Sequence, residues 1–267
     1  MNKTQKEKLV KELYEKYPYP SRSSVNPSEI IYFAEWVAKT FGADKNYWKD
    51  KNVLELGCGT GELANALALC GASVTAIDFS STSIKQAKKL SQKLKTQNKT
   101  KFIEKNILLL KEDEFGKEKK FDVVIAMGSL HHTINAFNGF KIACTYTKPE
   151  GLVIIGLYNK YARFRHLIKR SFLRILAGNN IEKRIKIGEQ LFGKKEVNGI
   201  NSKSWAADKY GQIHETNHSI REVIHWFKEE GIEFISSKPK YEHAVIDELK
   251  WLLEKKGAFF VMAGKKH

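Results

Sequence analysis

The segment Val53-Leu54-Glu55-Leu56-Gly57-Cys58-Gly59-Thr60-Gly61 constrains the fold of this chain more than any other. An extended apolar run leads directly into three glycines at alternate positions. These are followed by Glu62-Leu63-Ala64-Asn65-Ala66-Leu67, which reads as helix. A glycine has no Cβ, so a turn built this way lets backbone approach a ligand closely. The helix behind it opens on unpaired amides. Strand, glycine turn and helix in succession are the opening unit of a parallel α/β sheet.

The rest of the chain repeats the alternation. Short apolar runs predict strands over 53–56, 74–77, 101–104, 121–127 and 152–157. Helical stretches over 62–70, 81–96 and 134–146 lie between them; in the second, Ile84, Ala87 and Leu90 recur at helical spacing. Residues 121–127 are almost wholly apolar, as a strand buried on both faces requires. Beyond 157 the pattern stops, and 158–215 carry no clear strand and many basic residues. It resumes with a helix over 219–230, a strand over 232–236, a helical stretch over 243–255 and a last strand over 258–263. No crossover-length helix follows that last strand, so it is expected as an antiparallel edge. Ahead of the alternation, a charged helix over 4–16 breaks at Tyr17-Pro18-Tyr19-Pro20, because proline lacks an amide donor and restricts the residue before it. A second helix begins near Pro27-Ser28-Glu29.

The expected fold is a three-layer α/β sandwich around a mostly parallel seven-stranded sheet, with N-terminal helices and a helical insertion after strand five. Residues 1–45 form the lead or lid, 46–157 with 216–267 the doubly wound domain, and 158–215 a basic cap. The chain, at 267 residues, is long enough for one such domain carrying an insertion. No run approaches the roughly 18–20 apolar residues of a membrane-spanning helix. The first residues lack the apolar core of a secretory signal, so the cytosol is the expected location. Cys58, Cys70 and Cys144 are odd in number and widely spaced, which supports neither a disulfide framework nor a zinc site; no metal is implied.

Three polar residues stand where a nucleotide site on such a sheet needs them. Asp78 ends the second strand, where a carboxylate can accept both hydroxyls of a ribose. Asn106 follows the third strand, where a side-chain amide can read the edge of an adenine. Glu55 precedes the glycines, a position that suits a cationic ligand better than a pyrophosphate. The dinucleotide fingerprint G-x-G-x-x-G would place its third glycine where this chain has Glu62, and a carboxylate there repels a pyrophosphate.

Glu55 with Gly57-x-Gly59-x-Gly61 resembles the first motif of the class I, Rossmann-like S-adenosylmethionine-dependent methyltransferases. Residues 74–79 resemble the second motif and Phe121-Asp122-Val123-Val124 the fourth-strand motif, so the likeness covers roughly 50–157. The resemblance implies a methyltransferase with S-adenosylmethionine as cofactor and S-adenosylhomocysteine as product. Glu55, Gly57, Cys58, Gly59, Thr60 and Gly61 would then hold the methionine part and Asp78 the ribose. Phe79, Asn106 and Ile107 would frame the adenine, and Met127 and Gly128 would pass beneath the sulfonium.

For the acceptor the sequence says less. Gly128-Ser129-Leu130-His131-His132 follows the fourth strand and resembles the Leu-His-His of many small-molecule and lipid methyltransferases. This makes His131 or His132 a candidate general base, although methyl transfer needs chiefly alignment and desolvation. The amino-methyltransferase signature Asn-Pro-Pro-Tyr/Phe is absent. The Tyr-Pro lead and the Leu-Tyr-Asn turn together resemble a group of uncharacterised archaeal and bacterial methyltransferases, which places Tyr17, Tyr19, Tyr158 and Asn159 toward the acceptor.

The formal charge of +16 favours an anionic partner or a solvated lysine-rich surface. It concentrates in 158–195, where eleven Lys/Arg face only Glu182 and Glu189. There Phe164, Leu167, Ile168, Phe172, Ile175 and Leu176 fall mostly on one helical face, with Arg163, Arg170 and Arg174 expected on the outer, charged one. Such a helix either meets a membrane or partner surface or caps the domain with its apolar side. A small-molecule or lipid acceptor is the first expectation, RNA the alternative, and a non-catalytic cofactor-binding protein a third. No RNA-binding module is recognisable.

Overall fold

Apolar residues on both faces of the central strands demand cover on both sides. The computed structural model, which describes residues 2–22, 25–116, 120–193, 196–197 and 199–267, shows how the chain supplies it. Helix α1 (Lys3–Lys16) opens on a capping box, the Asn2 side chain accepting from the Gln5 amide. Helix α2 (Pro27–Ala38) has proline in its first turn and Asn26 as its cap. The core then alternates: β1 (Asn52–Leu56), α3 (Glu62–Leu69), β2 (Ser73–Asp78), α4 (Ser81–Leu94), β3 (Thr100–Glu104), β4 (Phe121–Met127), α5 (Ala136–Tyr146) and β5 (Thr147–Tyr158).

These five strands are parallel, in the order β3-β2-β1-β4-β5. Side chains alternate between faces along a strand, and the two parities divide cleanly here. Val53, Val74, Ala76, Val123, Ile125 and Ile154 pack against α2, α3 and α4. Leu54, Leu56, Ile77, Val124, Ala126 and Ile155 pack on the other side against α5, α9 (Ile220–Glu229) and Trp251 of α10 (Ala244–Leu253). Three layers result. The seven-stranded sheet is completed by β8 (Ile232–Lys238) and β9 (Phe259–Lys266).

One expectation is corrected here. The last strand is not an edge: β9 runs between β5 and β8, antiparallel to both, and β8 forms the edge. Phe260, Val261, Met262 and Ala263 are all buried, an unbroken apolar run that needs neighbours on both sides. In β8, by contrast, buried and exposed residues mix, as an edge permits.

Between β5 and α9 the chain forms α6 (Phe164–Ala177), α7 (Ile181–Phe192), a small antiparallel ladder of β6 (Glu196–Val197) with β7 (Ile200–Asn201), α8 (Ser202–Ala206) and a π-helical turn, Ala207–Gly211. The region was expected to hold no strand; the short ladder is too brief to leave a periodic signal. Its own core joins Leu173, Ile185, Ala206, Ala207 and Tyr210 to Leu13 of α1, with Tyr17 beside them. Lys194 and Lys195, two of the expected cations, lie outside the described residues. Among the described residues no helix is long and apolar enough to cross a membrane.

Candidate functional site

The glycine turn is shaped by contacts that a side chain would prevent. Gly57 and Gly59 have positive φ, 80° and 52°. A Cβ on Gly57 would collide with the Ser129 side chain, and one on Gly59 with the carbonyl oxygen of Tyr19. The first clash concerns the loop after β4; the second lets the Tyr-Pro lead lie across the turn. A cavity of about 670 Å³ opens there, over the C-terminal ends of the parallel strands. This is where open α/β sheets place their ligands.

The cavity is lined by Glu55, Gly57, Cys58, Gly59, Asp78, Phe79, Asn106, Ile107, Met127 and Gly128. The structure thus brings together ten of the twelve residues expected at the cofactor. Thr60 and Gly61 do not reach it. The Thr60 hydroxyl turns back to donate to both oxygens of Glu62, at 2.9 and 2.7 Å, and Gly61 faces Ala87 and Phe102. Asp78 accepts from the amides of Gly59 and Ser80, each at 2.9 Å, and burial pushes its carboxyl up to about 6. Glu55 is buried, with Oε2 lacking a partner. Burial first, then the charges of Glu62 and Asp78, hold its carboxyl well above the usual range. Burial likewise raises the Cys58 thiol. The Asn106 side chain caps the following turn through Leu108 and extends its amide toward Glu7 of α1.

The same cavity is lined by His132, Tyr158, Tyr14, Tyr19, Asp208 and Lys209, with the Tyr14 ring reaching Phe79 as well, centroids 6.1 Å apart. The two histidines separate. His132 faces the cavity, its Nδ1 buried without a partner and its Nε2 3.7 Å from Asp208 Oδ1. Burial, only partly opposed by Asp208 and Glu215, lowers its pKa, so the ring is a neutral imidazole. His131 lies beneath the Tyr158 ring, centroids 3.9 Å apart, and does not line the cavity.

Two other expectations are corrected. Asn159 is wholly buried and holds a turn: its Oδ1 accepts from the amides of Tyr161 and Ala162, and its Nδ2 donates to Glu248 at 2.6 Å. Tyr17 points away, donating to Glu182 at 2.7 Å. Of the two tyrosines of the lead, Tyr19 is the one that lines the cavity, joined by Tyr14 of α1.

Asp208, Lys209 and Tyr14 were not anticipated. They lie far from the motifs in sequence, and the one clue is that Asp208 is among the few acids in a strongly basic stretch. The Tyr14 hydroxyl donates to Asp208 Oδ1 and the Tyr158 hydroxyl to Oδ2, each at 3.2 Å, and Lys209 Nζ donates to Tyr158 at 2.9 Å. Arg163 and Arg170, expected on the outer face, are buried and clamp Glu215, each at 3.0 Å. Of the three arginines only Arg174 is exposed. Among the described residues no His, Cys, Asp and Glu cluster fits a metal ion.

Comparison with known proteins agrees with this geometry. The model of a family described as a methyltransferase domain matches residues 48–231. A ubiquinone biosynthesis O-methyltransferase of Colwellia psychrerythraea is 28% identical over 212 residues, 75% of this chain and 81% of that protein. One of Methylobacterium nodulans is 30% identical over 143 residues, 52% of this chain and 54% of its own length. Among solved structures, a magnesium protoporphyrin IX methyltransferase of Synechocystis with bound S-adenosylhomocysteine superposes with a TM-score of 0.55 at 14% identity, over 99% of this chain and 95% of that one. A didemethyltoxoflavin N-methyltransferase of Burkholderia thailandensis gives 0.58 at 12%, over 100% and 91%. At such identities the structures establish the fold, and the family match establishes kinship. The chain belongs to the methyltransferase-domain family and is an S-adenosylmethionine-dependent methyltransferase.

Proposed function

We propose that this enzyme methylates a hydroxyl oxygen of a small-molecule or lipid acceptor. The observation that carries the reading is a cavity lined both by a carboxylate-and-glycine set and by an imidazole-and-tyrosine set; we assign the first to the cofactor and the second to the acceptor. The relatives named above are O-methyltransferases of ubiquinone biosynthesis, which favours oxygen as the acceptor atom.

The first set fits the cofactor. Gly57 and Gly59 line this part of the cavity, their missing Cβ atoms letting Ser129 and the Tyr19 backbone close against the turn, and the unpartnered oxygen of Glu55 suits the ammonium of the methionine part. Asp78 retains lone pairs for the ribose hydroxyls, while Phe79, Asn106 and Ile107 frame the adenine. Bound there, with Met127 and Gly128 among the residues that would hold it, the cofactor would supply an electrophilic methyl on its sulfonium. His132 then receives the acceptor's proton, since a neutral imidazole accepts one near neutrality. The lead and the segment after β5 cover the site and exclude water.

The exposed face of α6 is, on this reading, where the enzyme meets an anionic lipid surface from the cytosolic side. Phe164, Ile168, Phe172, Ile175 and Leu176 are exposed, between the exposed cations Arg165, Lys169 and Arg174.

The test combines two variants with labelled cofactor. Asp78→Ala removes charge-assisted hydrogen bonds worth about 1.5–3 kcal/mol each, so calorimetry should find S-adenosylhomocysteine affinity down by at least about tenfold. His132→Asn should leave that affinity nearly intact and lower turnover by roughly 10²–10⁴. Label supplied with a fractionated extract is expected in the lipid or small-molecule fraction. Label confined to RNA or protein would overturn the acceptor class.

A further inference from the structure

Asp208 and Lys209 reach the cavity from the π-helical turn Ala207–Gly211. Single π turns are rare and recur at functional sites. Two features of the pair ask for a ligand. The first is stoichiometric. Lys209, Arg163 and Arg170 are packed around two carboxylates, Asp208 and Glu215, and each carboxylate is almost wholly buried. The imidazoles beside them, His131, His132 and His166, have their pKa values lowered, chiefly by burial, and add no charge. The cluster therefore holds three cations against two anions, and Lys209, whose side chain is 22% accessible and lines the cavity, is the cation placed to meet an anion there. The second is geometric. Lys209 Nζ uses one donor on the Tyr158 hydroxyl at 2.9 Å and one on Asp208 Oδ2 at 3.3 Å. An ammonium has three. The third donor, and the buried, unpartnered Nδ1 of His132, both belong to residues that line the cavity.

We propose that Lys209 binds an ionisable oxygen of the acceptor, a phenol, enol or carboxylic acid, and that Asp208 positions His132 to take that oxygen's proton. The inference rests on the methyltransferase reading and deepens it. The step balances: the O–H proton passes to His132, the oxygen lone pair forms the new C–O bond, and the C–S pair returns to sulfur as the thioether. Asp208 is suited to the positioning role because its Oδ1 faces His132 Nε2 while Tyr14 and Tyr158 fix both its oxygens. A carboxylate on the far side of an imidazole stabilises the imidazolium that forms.

Lys209 stays charged in place. Burial opposes its charge, and Tyr158 on β5, Asp208 on its own turn and Tyr19 on the lead outweigh burial against the repulsion of Arg163. Asp208 is likewise opposed by burial and held down to about 2 by Lys209, His132 and Arg163. The groups facing His132 include Asp208, Glu215, Arg163, His131, the rings of Tyr14 and Tyr158, and the backbone of His214.

The test uses chromophoric probes on the full chain loaded with S-adenosylhomocysteine: para-nitrophenol, nitrocatechol and para-nitrobenzoate. A nitrophenol reports its own ionisation by colour. Next to the Lys209 ammonium its pKa should fall on binding by about one unit or more. Lys209→Met should abolish that shift and weaken binding about tenfold; Lys209→Arg should keep part of both. Asp208→Asn should leave the nitrophenol shift in place and move the His132 imidazole titration, followed by NMR, to lower pH, with Asp208→Glu restoring it. The double variant Asp208→Asn/Lys209→Met keeps the charge balance and should show the Lys209 loss with cofactor affinity unchanged. Lysine-dependent binding of para-nitrobenzoate alone identifies the acceptor oxygen as a carboxylate. A bound nitrophenol that ionises at its free pKa, a Lys209→Met protein that behaves as wild type, or no binding of any probe by protein that still binds S-adenosylhomocysteine, each overturns the inference. Failure to bind S-adenosylhomocysteine at all sinks the methyltransferase reading itself.

Discussion

Glu62 stands one place beyond the third glycine and shows how burial sets the behaviour of single groups around this turn. It is almost wholly buried, accepts from Thr60, and lies 3.9 Å from Arg22 Nε. Burial dominates and lifts its carboxyl to about 7. A carboxyl whose folded pKa is raised favours folding most below its unfolded value near 4.5, and that contribution is lost as pH rises through about 7. Glutamine copies the protonated form at every pH. Glu62→Gln should therefore stabilise the ligand-free protein at pH 8 by on the order of 2 kcal/mol, with the gain shrinking toward zero as pH falls to about 5. Thermal unfolding across that range decides it, and a difference independent of pH would show that Glu62 is not the titrating group. At this scale the cofactor residues were legible, because glycines at fixed spacing and a strand-terminal Asp78 dictate where backbone and carboxylate must lie. The acceptor residues were not. Asp208 meets His132 through tertiary packing, and no local spacing in the sequence encodes that meeting.

The elements repeat the contrast. The helical period of α6 was readable, as were the strands and their buried parities, yet its orientation was open because its buried stripe carries charge. Arg170 and the Arg163 at its start turn inward to Glu215 alongside Leu173, and the apolar residues Phe164, Ile168, Phe172 and Ile175 turn out. A helix with arginine inside and phenylalanine outside inverts the ordinary amphipathic rule. The inversion predicts different outcomes for its two sets of cations. Replacing Arg165, Lys169 and Arg174 with Gln should weaken sedimentation with phosphatidylglycerol vesicles by about 1 kcal/mol per residue near the surface. Salt should erode the wild-type binding in the same way, through screening. Phe172→Ser with Ile175→Ser should weaken it further by exposing less apolar area to the interface. None of these should alter S-adenosylhomocysteine affinity. Wild-type sedimentation in the triple variant, or equal binding to phosphatidylcholine, would leave α6 without a role at anionic lipid.

Across the whole molecule, the chain before the sheet and the chain after β5 meet over one cavity. Leu13 and Tyr17 of the lead pack into the small core built by α6, α7 and the π turn, while Val10, Tyr14 and Tyr19 face the cavity from the same segment. Glu15 ties the lead to the sheet layer as well, accepting from the amides of Ser81 and Thr82 at the start of α4, at 2.7 and 3.0 Å. The sheet needs none of this to hold its own two cores, which close around β1, β4 and β5 without any residue of α1. The lead thus bridges the small core and the start of α4, and segments that lie outside the two sheet cores can open locally at less cost than the sheet. Both parts of the cover line the cavity, so a ligand there should hold them shut together. Amide hydrogen exchange measured with and without S-adenosylhomocysteine should show slowing in α1, around Tyr19, and through α6 to Gln212 as one group. The amides of β1, β4 and β5, already protected by the sheet, should change little. Slowing confined to the glycine turn and the start of α4, with α1 and α6 unchanged, would mean that the cover is a fixed part of the wall and that ligands reach the cavity by another route.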